Sequence, residues 1–225
     1  MYGKLIVIEA GDGSGKATQT KLLFDKLSSD NYKVRQVTFP DYGSDSSALI
    51  KMYLNGEFGN DPNDVNAYVA SSFYAADRFA SYKKAWGEFY QDGGIILADR
   101  YTTSNMVHQA AKITDPIERK LFLDWLWDLE FVKFKLPIPD CVIFLDMPPK
   151  VSQVLINSRA TQTDNGEKDI HERNHDYLVH SYNNATQLRE SYGWEKVNCV
   201  DNGKLRSRED IHKDIYRIVT KVIKT

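Results

Sequence analysis

Residues 7–20 read VIEAGDGSGKATQT. An apolar run, residues 4–10 (KLIVIEA), enters a turn with glycine at positions 11, 13 and 15, then passes through Lys16 into a helical pattern. The spacing approaches G-x-x-x-x-G-K-[ST], in which backbone N–H groups cradle phosphate oxygens and the lysine reaches the β/γ-phosphates. Gly11, Gly13 and Gly15 permit backbone angles that other residues resist. The helix that follows adds positive potential at its N-terminus. Two positions depart from the pattern. Ala10 replaces the first glycine, a mild change if that position needs no positive φ. Ala17 replaces the hydroxyl residue that ordinarily ligates Mg2+; a water can take that place, because Mg2+ commonly keeps several waters. A bare strand-to-helix turn also uses glycines. Strand, loop, Gly-Lys pair and helix occur together here, which favours the phosphate cradle.

Further short apolar runs lie outward from this stretch. Residues 33–39 (KVRQVTF), 94–99 (GIILAD), 141–146 (CVIFLD) and 196–201 (KVNCVD) read as four more strands, with helical periods between them. Near the end, Ile211, Ile215, Ile218, Val219 and Val222 recur at helix spacing as one apolar stripe. The alternation predicts an α/β fold with a mainly parallel sheet, whose ligands bind beyond the carboxyl ends of the strands.

The run 94–99 ends at Asp99, a usual place for a carboxylate that holds Mg2+ or its waters. Arg100 follows, and a guanidinium there can fork onto the phosphate of a second substrate. An ion pair at a strand end is the plainer reading. In SSFYAADRFASYKK (71–84), Tyr74 and Arg78 share one helix face. The aromatic can stack on a base while the arginine donates to its edge. Spacing alone favours an aromatic core helix with a solvated arginine. The polar stretch RATQTDNGEKD (159–169) reads as a surface loop or a mobile lid. DWLWDLEFVKF (124–134) reads as core, or else as a dimer surface.

At 225 residues the chain fits one domain, or one domain with a small appended element. The net charge of −2 implies no surface for a nucleic-acid polymer. Cys141 and Cys199 sit in apolar runs and read as free thiols in a reducing compartment. No membrane-length apolar run and no signal-peptide pattern occurs, so the expected location is cytoplasmic.

Six segments in order resemble the thymidylate kinase family: IEAGDGSGKATQT, FPDYG, SSFYAADR, DRYTTSN, LPIPDCVIFLD and the pair DIHE…Y. The resemblance runs from residue 4 to about residue 201. It implies a P-loop kinase fold, a five-stranded parallel sheet flanked by helices on both faces. It implies a single domain over 1–225 with a lid at about 159–172, and a homodimer. The activity implied is transfer of the γ-phosphoryl of ATP, with Mg2+, to dTMP.

The resemblance also assigns roles. Gly11, Gly13, Ser14, Gly15, Lys16, Ala17 and Thr18 would hold ATP, with Asn202 on the adenine side. Asp12 would meet the deoxyribose 3′-hydroxyl. Phe39 and Pro40 lie in the FPDYG segment on the acceptor side. Tyr74 would stack on thymine and Arg78 would read a base carbonyl. Arg100 would grip the dTMP phosphate, and Asp99 is the acid near the metal. Ser104 and Asn105 face the base, and His108 stands where some members have a tyrosine crowding a ribose 2′-hydroxyl. Arg159 and Lys168 are the lid's candidate cations, and with Lys16, Asp99 and Arg100 they form the expected catalytic set. The chain departs from the family at Tyr42, where many members carry a second phosphate-binding arginine. It departs again in an arginine-poor lid. Two other readings stay open: a kinase for another nucleotide or nucleoside such as dUMP, and a non-catalytic nucleotide-binding module.

Overall fold

In the computed structural model, which describes residues 2–160 and 175–224, the five expected strands form one parallel sheet. They are β1 (Leu5–Glu9), β2 (Val34–Thr38), β3 (Ile95–Asp99), β4 (Cys141–Asp146) and β5 (Glu195–Asn198), in the order β2-β3-β1-β4-β5. Every residue of β1 and β3 is buried, as in a strand covered on both faces. The edge strands β2 and β5 are mostly exposed or half-buried.

The helices in chain order are α1 (Lys16–Ser29), α2 (Ala48–Leu54), α3 (Ala67–Ser81), α4 (Gly87–Gln91), α5 (Thr102–His108), α6 (Pro116–Trp127), α7 (Pro149–Ala160), α8 (His175–Tyr192) and α9 (Arg208–Ile223). One face of the sheet, with Ile6, Ile8 and Ile143, packs against Leu23 and Leu27 of α1 and Ile211, Ile215 and Val219 of α9. The stripe predicted for the last helix is therefore its buried face. Ser207 caps that helix, accepting the Asp210 N–H at 3.0 Å. The other face, with Leu5, Val7 and Ile96, packs against α3, α5, α6 and α8 through Ala67, Met106, Phe122, Leu126 and Leu188.

This topology positions the site. β1 leads to α1 on one face, while its neighbour β3 leads to α5 on the other. The chain parts between them, and a crevice opens at their carboxyl ends. Register brings Ile8 beside Asp99, and the Arg100 N–H donates to the Ile8 carbonyl at 3.2 Å. The phosphate loop and the Asp99–Arg100 pair are thus neighbours although about 90 residues apart in sequence.

One expectation needs correction. The strand predicted over 196–201 leaves the sheet after Asn198. Val200–Asp201 instead pairs antiparallel with Lys204–Leu205 as a small hairpin. Asn202 and Gly203 both take positive φ, 47° and 75°, the backbone of a two-residue hairpin turn. Cys141 and Cys199 are free and buried, and burial pushes both thiols up to about 12. Among the described residues no helix is long and apolar enough to cross a membrane. Lys168 and most of the expected lid lie outside the described residues, as does the side chain of Arg159, whose backbone belongs to α7.

Candidate active site

The phosphate loop leaves β1 at Glu9 and enters α1 through Gly15. Gly15 occupies the N-cap position at φ 83°, ψ 16°, and no side chain caps the helix. The first turn carries no acidic residue. The N–H groups of Lys16, Ala17 and Thr18, which an α-helix cannot satisfy itself, have no side-chain cap and suit an anion. Gly13 is required for a second reason. A Cβ there would lie 2.5 Å from Ile156 Cγ1 and 2.8 Å from the Ser152 carbonyl, so α7 packs directly on the loop. Ala10 is not among the residues with positive φ and is fully buried in the core, so its methyl group is tolerated. Ala17 is exposed. Ser14 is buried and donates to the Gly11 carbonyl at 2.6 Å.

Lys16 is folded back into this loop. Its Nζ donates to the carbonyls of Ala10 at 3.0 Å and Gly11 at 2.7 Å. Burial, and then the Arg100 guanidinium, push its ammonium down to about 8 against the pull of Asp12, Asp99 and Glu9. An anion arriving at the loop would offset both causes by its own attraction for the ammonium.

Opposite the loop, Arg100 sits at φ 68°, in the left-handed region. Its Nη2 is ion-paired with Asp12, and its Nη1 donates to Ser104 Oγ at 3.2 Å and lies 3.6 Å from Glu9. Nη1 also lies 3.1 Å from His108 Nε2. A guanidinium only donates, so geometry assigns Nε2 as acceptor and places the imidazole proton on Nδ1. Burial alone would lower the Arg100 pKa, but Asp12, Glu9 and Asp99 together hold it above its ordinary value. Glu9 is fully buried and accepts from the Ala10 N–H at 2.9 Å and from Thr103 and Ser104 hydroxyls, each at 2.7 Å. Ser104 therefore relays Glu9 to Arg100.

Asp12, Phe39, Pro40, Tyr74, Arg78, Arg100, Ser104, Asn105 and His108 all line one cleft. The structure thus brings together every residue expected on the acceptor side. It corrects the plainer reading of α3, because Arg78 is not solvated. It is 1% exposed and pairs with Glu130, which is fully buried. Nε donates at 2.7 Å and Nη2 at 2.5 Å.

Sequence reasoning missed Glu130, Gln109, Leu54 and Tyr101; the last three also line the cleft. Tyr42, noted only as a departure, lines it too. The run 124–134 turns both ways: Leu126 and Glu130 are buried, whereas Trp127 is 39% and Val132 52% exposed. Asn202 lies at the exposed tip of the β6–β7 hairpin (Val200–Asp201 and Lys204–Leu205) and is not part of the acceptor cleft.

Asp99 is 6% exposed at the end of β3 and acts electrostatically on both Lys16 and Arg100. Among the described residues no group of three or more His, Cys, Asp or Glu is arranged to hold a metal. Asp99, a single carboxylate at the end of β3, is the kind of hard oxygen donor that suits Mg2+, which takes one or two carboxylates and keeps several waters.

Comparison with known proteins finds relatives of the chain. The family model described as thymidylate kinase matches residues 8–213. A probable thymidylate kinase from Pyrococcus horikoshii is 32% identical over 97% of both chains. A thymidylate kinase from Schizosaccharomyces pombe is 30% identical over 98% of this chain and 93% of that one. The solved thymidylate kinase structure from Candida albicans superposes with a TM-score of 0.70, covering 98% of this chain and 92% of that one. At 21% identity that last likeness speaks to the fold alone.

Proposed function

The chain belongs to the thymidylate kinase family, and from that membership we propose its reaction: transfer of the γ-phosphoryl group of ATP to dTMP, giving ADP and dTDP. The observation that carries this reading is the single cleft in which Arg100, suited to a phosphate, and the Tyr74–Arg78 face, suited to a base, stand together beside Asp12 of the phosphate loop.

The polar pattern supports a thymine or uracil edge over cytosine. Arg78 can only donate, which suits the O4 carbonyl and repels an amino group. Asn105 spends its Nδ2 on the Ser71 carbonyl at 3.3 Å, leaving its Oδ1 as the acceptor end. Gln109 Oε1 is buried with no hydrogen-bond partner among the described residues. A base N–H is the donor that the Gln109 oxygen lacks, and one that Asn105 Oδ1 could also accept.

The chemistry is positioning and charge neutralisation. A phosphate monoester is already largely an anion near neutral pH, its second pKa being about 6. Its oxygen attacks in line and needs no general base. Lys16 would leave the Ala10 and Gly11 carbonyls for the donor phosphates, and Gly11, Gly13, Ser14, Gly15, Ala17 and Thr18 would offer backbone N–H groups. Arg100 would exchange Asp12 for the acceptor phosphate. Asp12 would then be free to meet the sugar hydroxyl, and His108, 3.1 Å from Arg100 Nη1, would face the sugar. Mg2+, held by Asp99, would supply charge neutralisation at the phosphates. Arg159 and Lys168 are the lid cations proposed for the transferring group, and Asn202 the adenine-side contact.

A coupled ADP-release assay with ATP and Mg2+ against each nucleoside monophosphate is expected to give dTMP the highest kcat/KM. Tight ATP binding without transfer to any of them would overturn the reading in favour of a non-catalytic nucleotide module.

A homodimer in the cytoplasm completes the proposal. Two free buried cysteines accord with a reducing compartment. α3 and α6 pack together through Tyr68 on Phe122 and Trp125, at 5.2 and 4.8 Å between ring centres. Val69 of α3 is 42% exposed, and Ile117 and Leu121, one turn apart on α6, are 74% and 58% exposed. Sedimentation is expected to give twice the chain mass, and Ile117→Glu with Leu121→Glu to give the monomer. A wild type that sediments as a monomer would rule the dimer out.

A further inference from the structure

Glu130 lies within one wide turn, Asp128–Lys133, that continues α6. There the Phe134 N–H donates to the Leu129 carbonyl five residues back, at 2.9 Å. Such π turns recur at functional sites. The turn keeps Glu130 fully buried, while Trp127 and Val132 stay exposed.

Resting on the dTMP reading above, we propose that Glu130 is a positioning residue that sets the base selectivity of the acceptor site. It fixes the guanidinium of Arg78 and joins it to the arginine proposed for the acceptor phosphate. The join is a closed ring of contacts. Glu130 takes two N–H groups of Arg78 through Nε and Nη2. Its Oε2 also accepts the Thr102 hydroxyl at 2.8 Å. Arg78 Nη1 in turn reaches the Tyr101 carbonyl at 3.4 Å. Tyr101 and Thr102 directly follow Arg100, so both members of the pair are tied to the segment that carries it. The distance between the phosphate grip and the base grip is therefore set by Glu130 and two consecutive residues of α5 and its start.

A purely structural pin explains the pair poorly. The two helical arms already meet through aromatic contacts, Tyr68 on Phe122 and Phe79 on Phe134, the latter at 5.3 Å. A buried ion pair adds little stability over well-packed apolar residues of equal volume. Holding a planar donor fork in one orientation is what apolar residues cannot do.

Calorimetric Kd values for dTMP, dCMP and ATP, with steady-state KM and kcat, test the assignment. Glu130→Gln keeps the volume and removes the charge. It is expected to weaken dTMP by about 10-fold or more, the loss of one well-aimed hydrogen bond from Arg78 to the base. It should leave the ATP Kd unchanged and narrow the preference for dTMP over dCMP. Thr102→Val removes only the third bond to the carboxylate. It is expected to weaken dTMP by about 3- to 10-fold, less than Glu130→Gln, with the ATP Kd unchanged and the melting temperature somewhat lower, because the buried bond is lost from the free protein too. Unaltered dTMP affinity in Glu130→Gln, or equal losses for ATP and dTMP, overturns the assignment. If Glu130→Gln does not fold, a Thr102→Val protein with wild-type dTMP affinity and selectivity overturns it. A wild type that binds no pyrimidine monophosphate defeats the functional reading itself, and this assignment with it.

Discussion

Lys16→Ala is expected to lower kcat by about 10²- to 10³-fold, the loss typical of one electrostatic donor at a transition state, while dTMP affinity is preserved. The loop offers the phosphates backbone N–H groups and a helix N-terminus without a side-chain cap. Only Lys16 among the loop residues brings a full positive charge. In the free protein that charge is held by two carbonyls and weakened by burial, down to about 8. Polyphosphate would raise it again. Between pH 8 and the higher value in the complex, the bound state holds more protons than the free one. ATP binding should therefore take up a proton, and ATP affinity should fall as pH rises through about 8. The sign for folding follows from the same shift. Between about 8 in the fold and 10.5 in the open chain, the unfolded state binds more protons, so this group's contribution to stability rises with pH over that window. Calorimetry in buffers of different ionisation enthalpy measures the uptake, which Lys16→Ala should abolish. A variant that turns over at the wild-type rate, or an unchanged proton count, would remove Lys16 from the phosphate site.

The core of the sheet was legible because β1, β3 and β4 are covered on both faces and read as unbroken apolar runs. The edge at 196–201 was not, because an Asn-Gly turn inside a polar stretch outweighs the apolar residues beside it. The acceptor residues were legible where they sit next to a strand end or a glycine turn, as Asp12, Asp99 and Arg100 do. Arg78 was a harder case. Spacing on α3 gave it a face but not an environment, since its partner Glu130 lies 52 residues away. The signal that could have found the pair was the acid itself, set among tryptophan, leucine and phenylalanine in residues 124–134. A carboxylate in such a run must either turn outward or find a buried cation. Gln109 had no sequence signal beyond standing next to His108; its place follows from α5 lying against the cleft.

Arg100→Gln is expected to lower kcat/KM for dTMP by about 10²- to 10³-fold, as the loss of a buried, hydrogen-bonded charge partner does. Glutamine is the informative replacement because residue 100 holds φ at 68°. Glutamine, like arginine, is an unbranched residue and meets a similar backbone cost there, so the change isolates the side-chain head group. In the free protein Arg100 is matched by Asp12, Glu9, Ser104 and His108. Removing the guanidinium leaves the Asp12 and Glu9 carboxylates facing an incoming phosphate dianion, so attraction turns into repulsion. Lysine should recover only part of the loss, because it restores the charge without the two-pronged donor geometry. The KM for ATP should change far less than that for dTMP, since Lys16 and the loop amides, not Arg100, meet the donor phosphates; the Lys16 ammonium, no longer pushed down by Arg100, should rise. Thymidine provides the deciding comparison. It lacks the phosphate that Arg100 grips, so its binding should be the same in Arg100→Gln and wild type, and the preference for dTMP over thymidine should collapse. If thymidine and dTMP weaken in parallel, Arg100 shapes the cleft as a whole and does not hold the acceptor phosphate.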